Sequence, residues 1–339
     1  MESRQVNMNW EKEDIVLEDG KVVRAQTPVI ISASRATDIP AFYTDWLVDR
    51  IKKGYVEWVN PFNGVPLYVS FAKTRLIIFW SKNPTPLFKH LDFFDATIPN
   101  YYLQYTLNDY EKEGLEPNVP SLESRIDTFI RFSEKIGKEK IIWRFDPLLL
   151  TDQLDVNELP SRVEKIGNRL KGYTEKLVFS FADIRDYRKV KSNLGKKNIN
   201  YREFDLESMK EFARSLQQLN KKWGFELATC AEELSLEEYT ILPNKCVDDD
   251  LIIRLFSHDF RLMDFLKVKI TYGDVFNNVL HVEKLKNNKD KGQRKYCGCI
   301  VSKDIGRYNT CPHLCTYCYA NTTEQIAMKN WNEYNLNQK

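Results

Sequence analysis

The stretch CGCIVSKDIGRYNTCPHLCTYCYAN, residues 297–321, carries five of the seven cysteines in this chain of 339 residues. Within it, Cys311, Cys315 and Cys318 form a C-x3-C-x2-C motif, and Tyr317 directly precedes the last cysteine. One short loop can direct three thiolates toward a common point. Clustered cysteines in a reducing compartment more often bind metal than form disulfides. The stretch therefore predicts a metal site around which the rest of the chain is organised.

Three thiolates suit an iron–sulfur cluster, because thiolates are the usual ligands of such clusters. A four-iron cube with three protein ligands keeps one iron open, as catalytic metal sites do, whereas structural sites are closed. Zinc is the alternative, and it would need a fourth ligand. His313 lies inside the motif, but its offset of two residues from each neighbouring cysteine predicts that it points away.

The four remaining cysteines allow a second metal site. Cys230, Cys246, Cys297 and Cys299 supply enough thiolates to close a tetrahedral zinc site or another four-iron cluster. Cys297 and Cys299 flank one glycine and lead into the motif, so they can lie near it. The sequence leaves open that Cys230 and Cys246 are small buried residues, as free cysteines often are.

Composition argues against several classes of partner. The 50 basic and 48 acidic residues leave a net charge of +2, so a nucleic-acid substrate is not favoured, although residues 284–295 are basic. No apolar run reaches the roughly 18 residues of a membrane span. The polar residues 1–14 do not resemble a signal peptide. These features predict a cytoplasmic protein that does not enter membranes.

From residue 28 onward, short β-branched or aromatic runs alternate with helical patterns, which favours a parallel α/β sheet. Most of the predicted strands lack alternation, as expected when both faces of a strand are buried. The predicted strands are 29–33, 56–60 with 67–71, 76–80, 102–107, 141–145, 177–181 and 225–229, followed by one around 299–303. The predicted helices are 41–53, 122–136, 158–170, 206–221 and 235–242, with a terminal helix over 322–334.

Seven to eight strands suit a (β/α) barrel, complete or partial, and a doubly wound open sheet is the alternative. We expect one barrel-like domain over residues 28–323. Residues 1–27 are expected to form an N-terminal extension with a hairpin that turns at Asp19-Gly20. Residues 324–339 are expected to form a C-terminal helix and tail.

Polar side chains gather where the predicted strands end, and active sites of barrels lie at that edge. These residues are Ser34, Arg35, Thr37, Asp38, Ser81, Lys82, Asn83, Asn108, Asp109, Arg144, Asp146, Asp183 and Glu232. Asp and Asn also occur at such positions simply to form turns. The cations Arg35, Lys82 and Arg144 are candidates to bind carboxylate or phosphate groups.

The cysteine spacing, with an aromatic residue before the last cysteine, resembles the cluster loop of the radical S-adenosylmethionine (SAM) superfamily. The resemblance implies a [4Fe-4S] cluster on Cys311, Cys315 and Cys318, whose open iron binds the amino and carboxylate groups of SAM. It places Tyr317 beside the adenine. It also implies one-electron cleavage of SAM to a 5′-deoxyadenosyl radical, with an electron donor such as flavodoxin or ferredoxin and an unknown substrate.

Radical SAM barrels begin with the strand, cluster loop and helix that come last here, so the resemblance implies a circularly permuted barrel. A Gly-Gly-Glu-like motif, which many members use to hold the SAM amino group, is missing. Ser34, Thr37 and Asp38 follow the equivalent strand and are expected to replace it. The expected cofactor-binding residues are Tyr317, Ser34, Arg35, Asp38, Lys82, Asn83 and Arg144.

Three phrases are similar to domain-of-unknown-function family 1848 over most of the chain. They are residues 79–84 (FWSKNP), 143–147 (WRFDP) and 302–306 (SKDIG). This similarity supports the fold and the cluster more than it supports any substrate. The alternative function is a non-catalytic metal-binding module, with zinc or an iron–sulfur cluster, or an electron-transfer protein.

Overall fold

The computed structural model describes residues 10–60, 63–273 and 279–337, which form sixteen strands and eleven α-helices. The strands are β1 (Lys12–Val16), β2 (Val22–Gln26), β3 (Ile30–Ala33), β4 (Tyr55–Val59), β5 (Pro66–Ser70), β6 (Leu76–Ser81), β7 (Asn100–Thr106), β8 (Ile141–Leu148), β9 (Leu150–Thr151), β10 (Lys176–Phe181), β11 (Tyr201–Arg202), β12 (Glu226–Thr229), β13 (Ile241–Pro243), β14 (Val268–Tyr272), β15 (Val279–Lys284) and β16 (Lys303–Asp304). The α-helices are α1 (Ile39–Phe42), α2 (Thr44–Lys53), α3 (Thr85–Phe88), α4 (Leu91–Thr97), α5 (Leu122–Ile136), α6 (Glu158–Leu170), α7 (Arg188–Lys196), α8 (Leu206–Trp223), α9 (Asp249–Phe256), α10 (Phe260–Leu266) and α11 (Glu324–Asn337).

Eight parallel strands form the central sheet in the order β13-β12-β10-β8-β7-β6-β3-β16. From β3 to β13 the spatial order follows the chain order. The last strand, β16, pairs with the first, β3, through Lys303 opposite Ile31 and Asp304 opposite Ser32. The strand order never reverses, whereas a doubly wound sheet reverses at a switch point. The predicted α/β class with a parallel sheet is therefore confirmed, and the doubly wound alternative is wrong.

The central sheet is open, because its first and last strands are not hydrogen-bonded to each other among the described residues. Among the described residues, β13 pairs only with β12, and β16 pairs only with β3. A complete barrel is therefore not formed. The end strands have only three and two residues, so they present few backbone groups to one another. The predicted helix over 235–242 is also wrong: a turn of 3-10 helix, Glu237–Tyr239, leads through Thr240, with a φ of 60°, into β13.

The two faces of the central sheet are covered by different parts of the chain. On one face, Ile77, Phe79, Leu103 and Trp143 belong to a large core that includes buried residues of α2 and α5 to α8. On the other face, called here the inner face, strand residues such as Tyr102 pack against α9 and α10. Both faces are buried, which explains why the strands read as continuous apolar runs.

A smaller sheet forms beside the central one, in the order β1-β2-β5-β4. Its β1-β2 hairpin confirms the predicted turn at Asp19-Gly20, where Gly20 has a φ of +83°. The prediction that 56–60 and 67–71 belong to the barrel is wrong, because β5 pairs with β2 of this hairpin and β4 pairs with β5. Unlike the central strands, these two strands expose one edge and one face to solvent. Glu57 is exposed and Tyr68 is half-buried. Residues 1–9 lie outside the described part.

Further helices occupy segments that the sequence left unassigned. Helix α7 lies between the predicted strands 177–181 and 225–229, and most of its residues are exposed. Helices α9 and α10 were not predicted, whereas α11 agrees with the predicted terminal helix. No described helix combines the length and the apolar character that crossing a bilayer requires.

Two helical glycines provide a matched test of the packing. A Cβ on Gly167 in α6 would lie 2.6 Å from Cζ2 of Trp223, whereas a Cβ on Gly195 in α7 would meet no atom within 4 Å. We expect Gly167→Ala to lower the free energy of unfolding by about 1–3 kcal/mol through overpacking. Gly195→Ala should raise it by about 0.5–1 kcal/mol, because alanine restricts the unfolded chain. Urea unfolding of both variants tests this, and a stabilised Gly167→Ala would contradict it.

The burial of Lys303 predicts that the free energy of unfolding depends on pH. Burial lowers the pKa of Lys303 to about 8 from its ordinary 10.5, while the Trp58 ring, 3.4 Å from Nζ, partly compensates the charge. Below pH 8 folding must bury an ammonium group, and this cost fades as the pH rises through the folded pKa. Lys303→Met should therefore be about 2 kcal/mol more stable than wild type at pH 7.

The same difference should shrink toward zero by pH 10, because the folded wild type is then neutral at this position. Urea unfolding of both proteins at pH 7 and pH 10 gives the comparison. A gain in the Lys303→Met variant that is equal at both pH values would show that desolvation of the ammonium group does not govern this site.

Candidate functional site

The cysteine motif lies against segments that follow the carboxyl ends of β3 and β7. The Thr316 amide donates to the Leu115 carbonyl over 2.9 Å, and Asn118 Nδ2 donates to the Pro312 carbonyl over 2.8 Å. From the other side, Tyr43 in the α1-α2 turn donates its hydroxyl to the Thr310 carbonyl over 2.5 Å. These backbone contacts fix the path of the loop without using its cysteines.

Asp38 is the strongest of these anchors. Its Oδ1 accepts from the Ser81 hydroxyl at 2.7 Å and from the Ala41 amide at 3.0 Å. Its Oδ2 accepts from the Lys82 amide at 2.7 Å and lies 2.9 Å from Nε2 of His313. The carboxylate therefore joins the ends of β3 and β6 to the cysteine loop. These four partners give Asp38 a structural role in the described chain, and its expected contact with a cofactor stays a prediction.

His313 is buried and both of its ring nitrogens are engaged. Nε2 faces Asp38, and Nδ1 lies 3.2 Å from the Asn118 carbonyl oxygen. Neither nitrogen is free to become a fourth metal ligand. Within the motif, the ligand-type atoms that remain are the three thiols.

The three thiols are close enough to influence one another electrostatically. Burial, together with the charges of Asp38 and Cys318, raises the pKa of Cys311 to about 12. Burial likewise raises the pKa of Cys315 well above its ordinary value, while the Lys82 ammonium opposes this. Cys315 is buried, and Cys311 and Cys318 are half-buried. Thiolates in this setting need a cation, and a bound metal would supply it.

A buried polar network lies beside Cys315. Lys82 Nζ donates to Glu116 Oε1 over 2.7 Å and lies 2.8 Å from the Tyr317 hydroxyl, which also contacts Glu116. Asn108 Nδ2 donates to the same hydroxyl over 3.0 Å, and Arg125 pairs with Glu116 Oε2 at 3.3 Å. Because of its two cations, the pKa of Glu116 is lowered despite its burial.

This network gives Tyr317 and Lys82, which were expected to bind the cofactor, a different role in the described chain. Tyr317 is buried, with its hydroxyl held by polar groups and the Lys82 ammonium 5.2 Å from its ring centroid. It therefore fixes the loop. Lys82 is committed to Glu116, so it is not a free anion-binding cation. Glu116 was missed because no motif surrounds it and its contacts are distant in sequence.

Ser34 and Arg35 form a second anchor, with Asp304 at the end of β16. The Ser34 hydroxyl donates to Asp304 Oδ1 over 2.6 Å, and the Arg35 amide donates to Oδ2 over 2.7 Å. The Arg35 side chain adds a contact of 3.2 Å to the Ser302 hydroxyl. A Cβ on Gly306 would lie 1.9 Å from Ser34 Oγ, so only glycine fits there. This anchor attaches the last strand to the first.

The contacts of Arg144 and Asn83 in the described chain also differ from the cofactor contacts expected for them. Arg144 is on the inner face, where Nη1 lies 2.9 Å from the Cys246 sulfur and Nη2 contacts Asp146. It therefore belongs with the second group of cysteines and not with the motif. Asn83 is half-buried at the start of α3, where its Oδ1 accepts from the Thr85 amide at 3.4 Å. Its role is local and structural.

The structure brings the other four cysteines together. The Cys230 and Cys246 sulfurs are 3.5 Å apart, and the Cys299 side chain interacts with those of Cys246 and Cys297. Cys246 also lies in the apolar core of the inner face, with Cys230 packed against it, so the alternative that these two are small buried residues stays open. Their burial is high, with exposed fractions of 3% for Cys246 and Cys299 and 6% for Cys297.

Several buried polar atoms near the motif have no hydrogen-bond partner among the described residues. They include the hydroxyl of Thr316 within the motif, the hydroxyl of Thr37 after β3, and, near the carboxyl end of β6 on the inner face, the indole N–H of Trp80. Buried polar groups are normally paired, so such atoms mark places where a ligand can bind. Thr37 directly precedes Asp38, and Thr316 lies between Cys315 and Tyr317. The donor set therefore fits a group with thiolate-bound iron and a polar ligand beside it.

Acidic and basic side chains elsewhere neutralise one another. Asp248, Asp249 and Asp250 lie close together, but Lys245 and Lys284 form ion pairs with Asp249 and Asp250. A charged depression beside them lies at the amino ends of β8, β10 and β12, at the edge opposite the motif. Lys284, the first residue of the basic stretch, is thus already paired, and nothing here adds support for nucleic-acid binding.

Comparison with known proteins gives one match. The profile of a family described as domain of unknown function (DUF1848) matches residues 30–320. No significant match was found among curated proteins or among solved structures. Because the matched range covers most of the 339 residues, this chain belongs to the DUF1848 family.

Proposed function

We propose that this protein is an iron–sulfur enzyme of radical SAM type, in which Cys311, Cys315 and Cys318 hold a [4Fe-4S] cluster. The observation that carries the proposal is the engagement of His313 by Asp38 and Asn118. It leaves the motif with three thiol ligands, which suit a four-iron cube with one open corner. The open corner is what a catalytic site needs.

The strand order supports a partial, circularly permuted barrel. With β16 counted first, the eight strands follow one another in space as they do along a (β/α) barrel. The cysteine loop and α11 come directly after β16, which gives the order strand, cluster loop, helix. The cluster loop then lies at the carboxyl edge of the sheet, where barrel enzymes place their active sites.

When bound, the cluster and SAM supply one-electron cleavage of the SAM sulfonium, with the electron coming from a donor such as flavodoxin or ferredoxin. The chain positions and encloses them. Asp38 fixes the loop through His313, and Lys82 places a positive charge beside Cys315. Buried Tyr317 closes the space beneath the loop. These residues are expected to act in the cytoplasm, where iron–sulfur clusters and thiols are kept reduced.

Recognition of the SAM amino group needs a substitute for the missing Gly-Gly-Glu motif. Of the three candidates after β3, Ser34 is bonded to Asp304 and Asp38 has four partners. Thr37 keeps a buried hydroxyl without a partner in the described chain. The proposal therefore assigns Thr37, with Thr316 and Trp80, to hydrogen bonds with SAM.

The first test is anaerobic incubation with SAM and dithionite. Wild type should contain iron and sulfide and release 5′-deoxyadenosine, and omission of dithionite should abolish the release. Cys315→Ala should bind less iron and release none, because two thiolates cannot hold the cube. Circular dichroism checks that this variant is folded. Zinc in the motif without labile sulfide would instead favour a structural module, and a cluster without SAM cleavage would favour electron transfer.

The second test addresses Thr37. Thr37→Val keeps the shape and removes the hydroxyl, so we expect a loss in SAM affinity of about tenfold with unchanged iron content. The matched control is Thr97→Val, because the Thr97 hydroxyl bonds only to the Phe93 carbonyl on exposed α4. Equilibrium dialysis with labelled SAM measures both. Equal affinities of wild type and Thr37→Val would remove Thr37 from the binding site.

A further inference from the structure

Four cysteines that the proposed function does not use converge on the inner face of the central sheet. They arrive from three separate parts of the chain: Cys230 after β12, Cys246 after β13, and Cys297 with Cys299 before β16. The sulfurs of Cys230 and Cys246 lie 3.5 Å apart. Thiolates that share one tetrahedral ion at 2.3 Å lie about 3.8 Å apart, so this pair is already near the spacing of two ligands on one metal ion.

Hydrogen-bond donors are aimed at two of these sulfurs. Cys246 Sγ lies 2.9 Å from Arg144 Nη1 and 3.1 Å from Asn244 Nδ2. Cys299 Sγ lies 3.1 Å from the Cys246 amide and 3.4 Å from the Val247 amide. A neutral thiol is a weak acceptor, whereas a thiolate accepts several N–H donors. Four donors on two sulfurs are the surroundings expected of metal-bound thiolates.

The backbone around these cysteines is held in place by further contacts. The Cys246 carbonyl accepts from the Tyr102 hydroxyl at 2.8 Å and from Gln104 Nε2 at 2.9 Å, both on the inner face of β7. A Cβ on Gly298 would lie 2.9 Å from Lys245 Cγ and 3.4 Å from the Asn244 carbonyl. Glycine between Cys297 and Cys299 therefore allows the two segments to pass closely.

The local charge fits an anionic centre. Arg144 is 4% exposed, and the one carboxylate that it contacts, Asp146, also accepts from the Ser180 hydroxyl. Nη2 of Arg144 is paired with Asp146, whereas Nη1 is directed at Gln104 Oε1 and the Cys246 sulfur, so a negative charge on that sulfur would be stabilised. A four-thiolate centre with a divalent zinc ion or an iron–sulfur cluster has a net negative charge. Arg144 would then neutralise part of it.

We propose that Cys230, Cys246, Cys297 and Cys299 form a second metal centre, ligated by four thiolates and closed to exogenous ligands. Zinc and an iron–sulfur cluster share this ligand chemistry. The centre would attach the β12-β13 end of the sheet to the segment before β16, at the two ends where the ladder of hydrogen bonds stays open. The proposal does not depend on radical SAM chemistry at the motif.

The test compares metal and sulfide in anaerobically purified wild type, Cys246→Ser, Cys299→Ser and Cys315→Ser. Wild type should hold either about one zinc per chain or about four irons beyond a single four-iron cluster. Cys246→Ser and Cys299→Ser should lose this portion and retain the metal of the motif. Cys315→Ser is the reciprocal control and should lose only the metal of the motif.

Wild type and Cys315→Ser decide the matter if Cys246→Ser and Cys299→Ser do not fold. A wild type whose whole metal content is one four-iron cluster, lost in Cys315→Ser, overturns the proposal, and so does a wild type that contains a Cys230–Cys246 disulfide by mass spectrometry. Metal that depends on Cys246 and Cys299 in a protein with an empty motif would support the second centre while refuting the proposed function. The two proposals can therefore fail separately.

Discussion

The carboxylate of Asp38 is the contact on which the rest of the site depends. Its four partners come from α1, the end of β6 and the cysteine loop, with distances between 2.7 and 3.0 Å. This carboxylate faces Nε2 of His313, and the Asn118 carbonyl faces Nδ1. Under the proposed function, these contacts keep the imidazole from the metal and leave three thiols as the ligands of the motif.

Burial has opposite consequences for the cations and the thiols at this edge of the sheet. Lys82 and Arg125 keep their charges beside Glu116, whose pKa is lowered because of both. Cys315 has only the Lys82 ammonium to offset desolvation, and burial raises its thiol pKa. Without a metal, burial therefore favours the neutral thiol of Cys315 beside a satisfied ion pair. Metal binding must release protons from the thiols, which couples occupancy of the site to pH and to the packing of the loop.

The sequence was most informative where the relevant contacts are local. The spacing of Cys311, Cys315 and Cys318 lies within one loop, and the continuous apolar strands follow from two buried faces. The anchors could not be predicted, since Glu116 meets Tyr317 across 201 residues and Asp304 meets Ser34 across 270. Arg144 was expected to bind an anionic group of a cofactor or substrate, and its contact with the Cys246 sulfur was not predicted, although the sequence places it on the same face of β8 as Ile142. Strand membership of β4 and β5 depended on pairing with the hairpin, which a run of apolar residues does not specify.

An open iron in the cluster of Cys311, Cys315 and Cys318 is the central claim, and electron paramagnetic resonance tests it most directly. The spectrum of the anaerobic, dithionite-reduced protein is recorded before and after SAM is added. The account predicts the signal of a reduced four-iron cluster, and this signal should change when the SAM amino and carboxylate groups bind iron. A protein that lacks such a signal, or one whose spectrum is identical with and without SAM, would contradict the account.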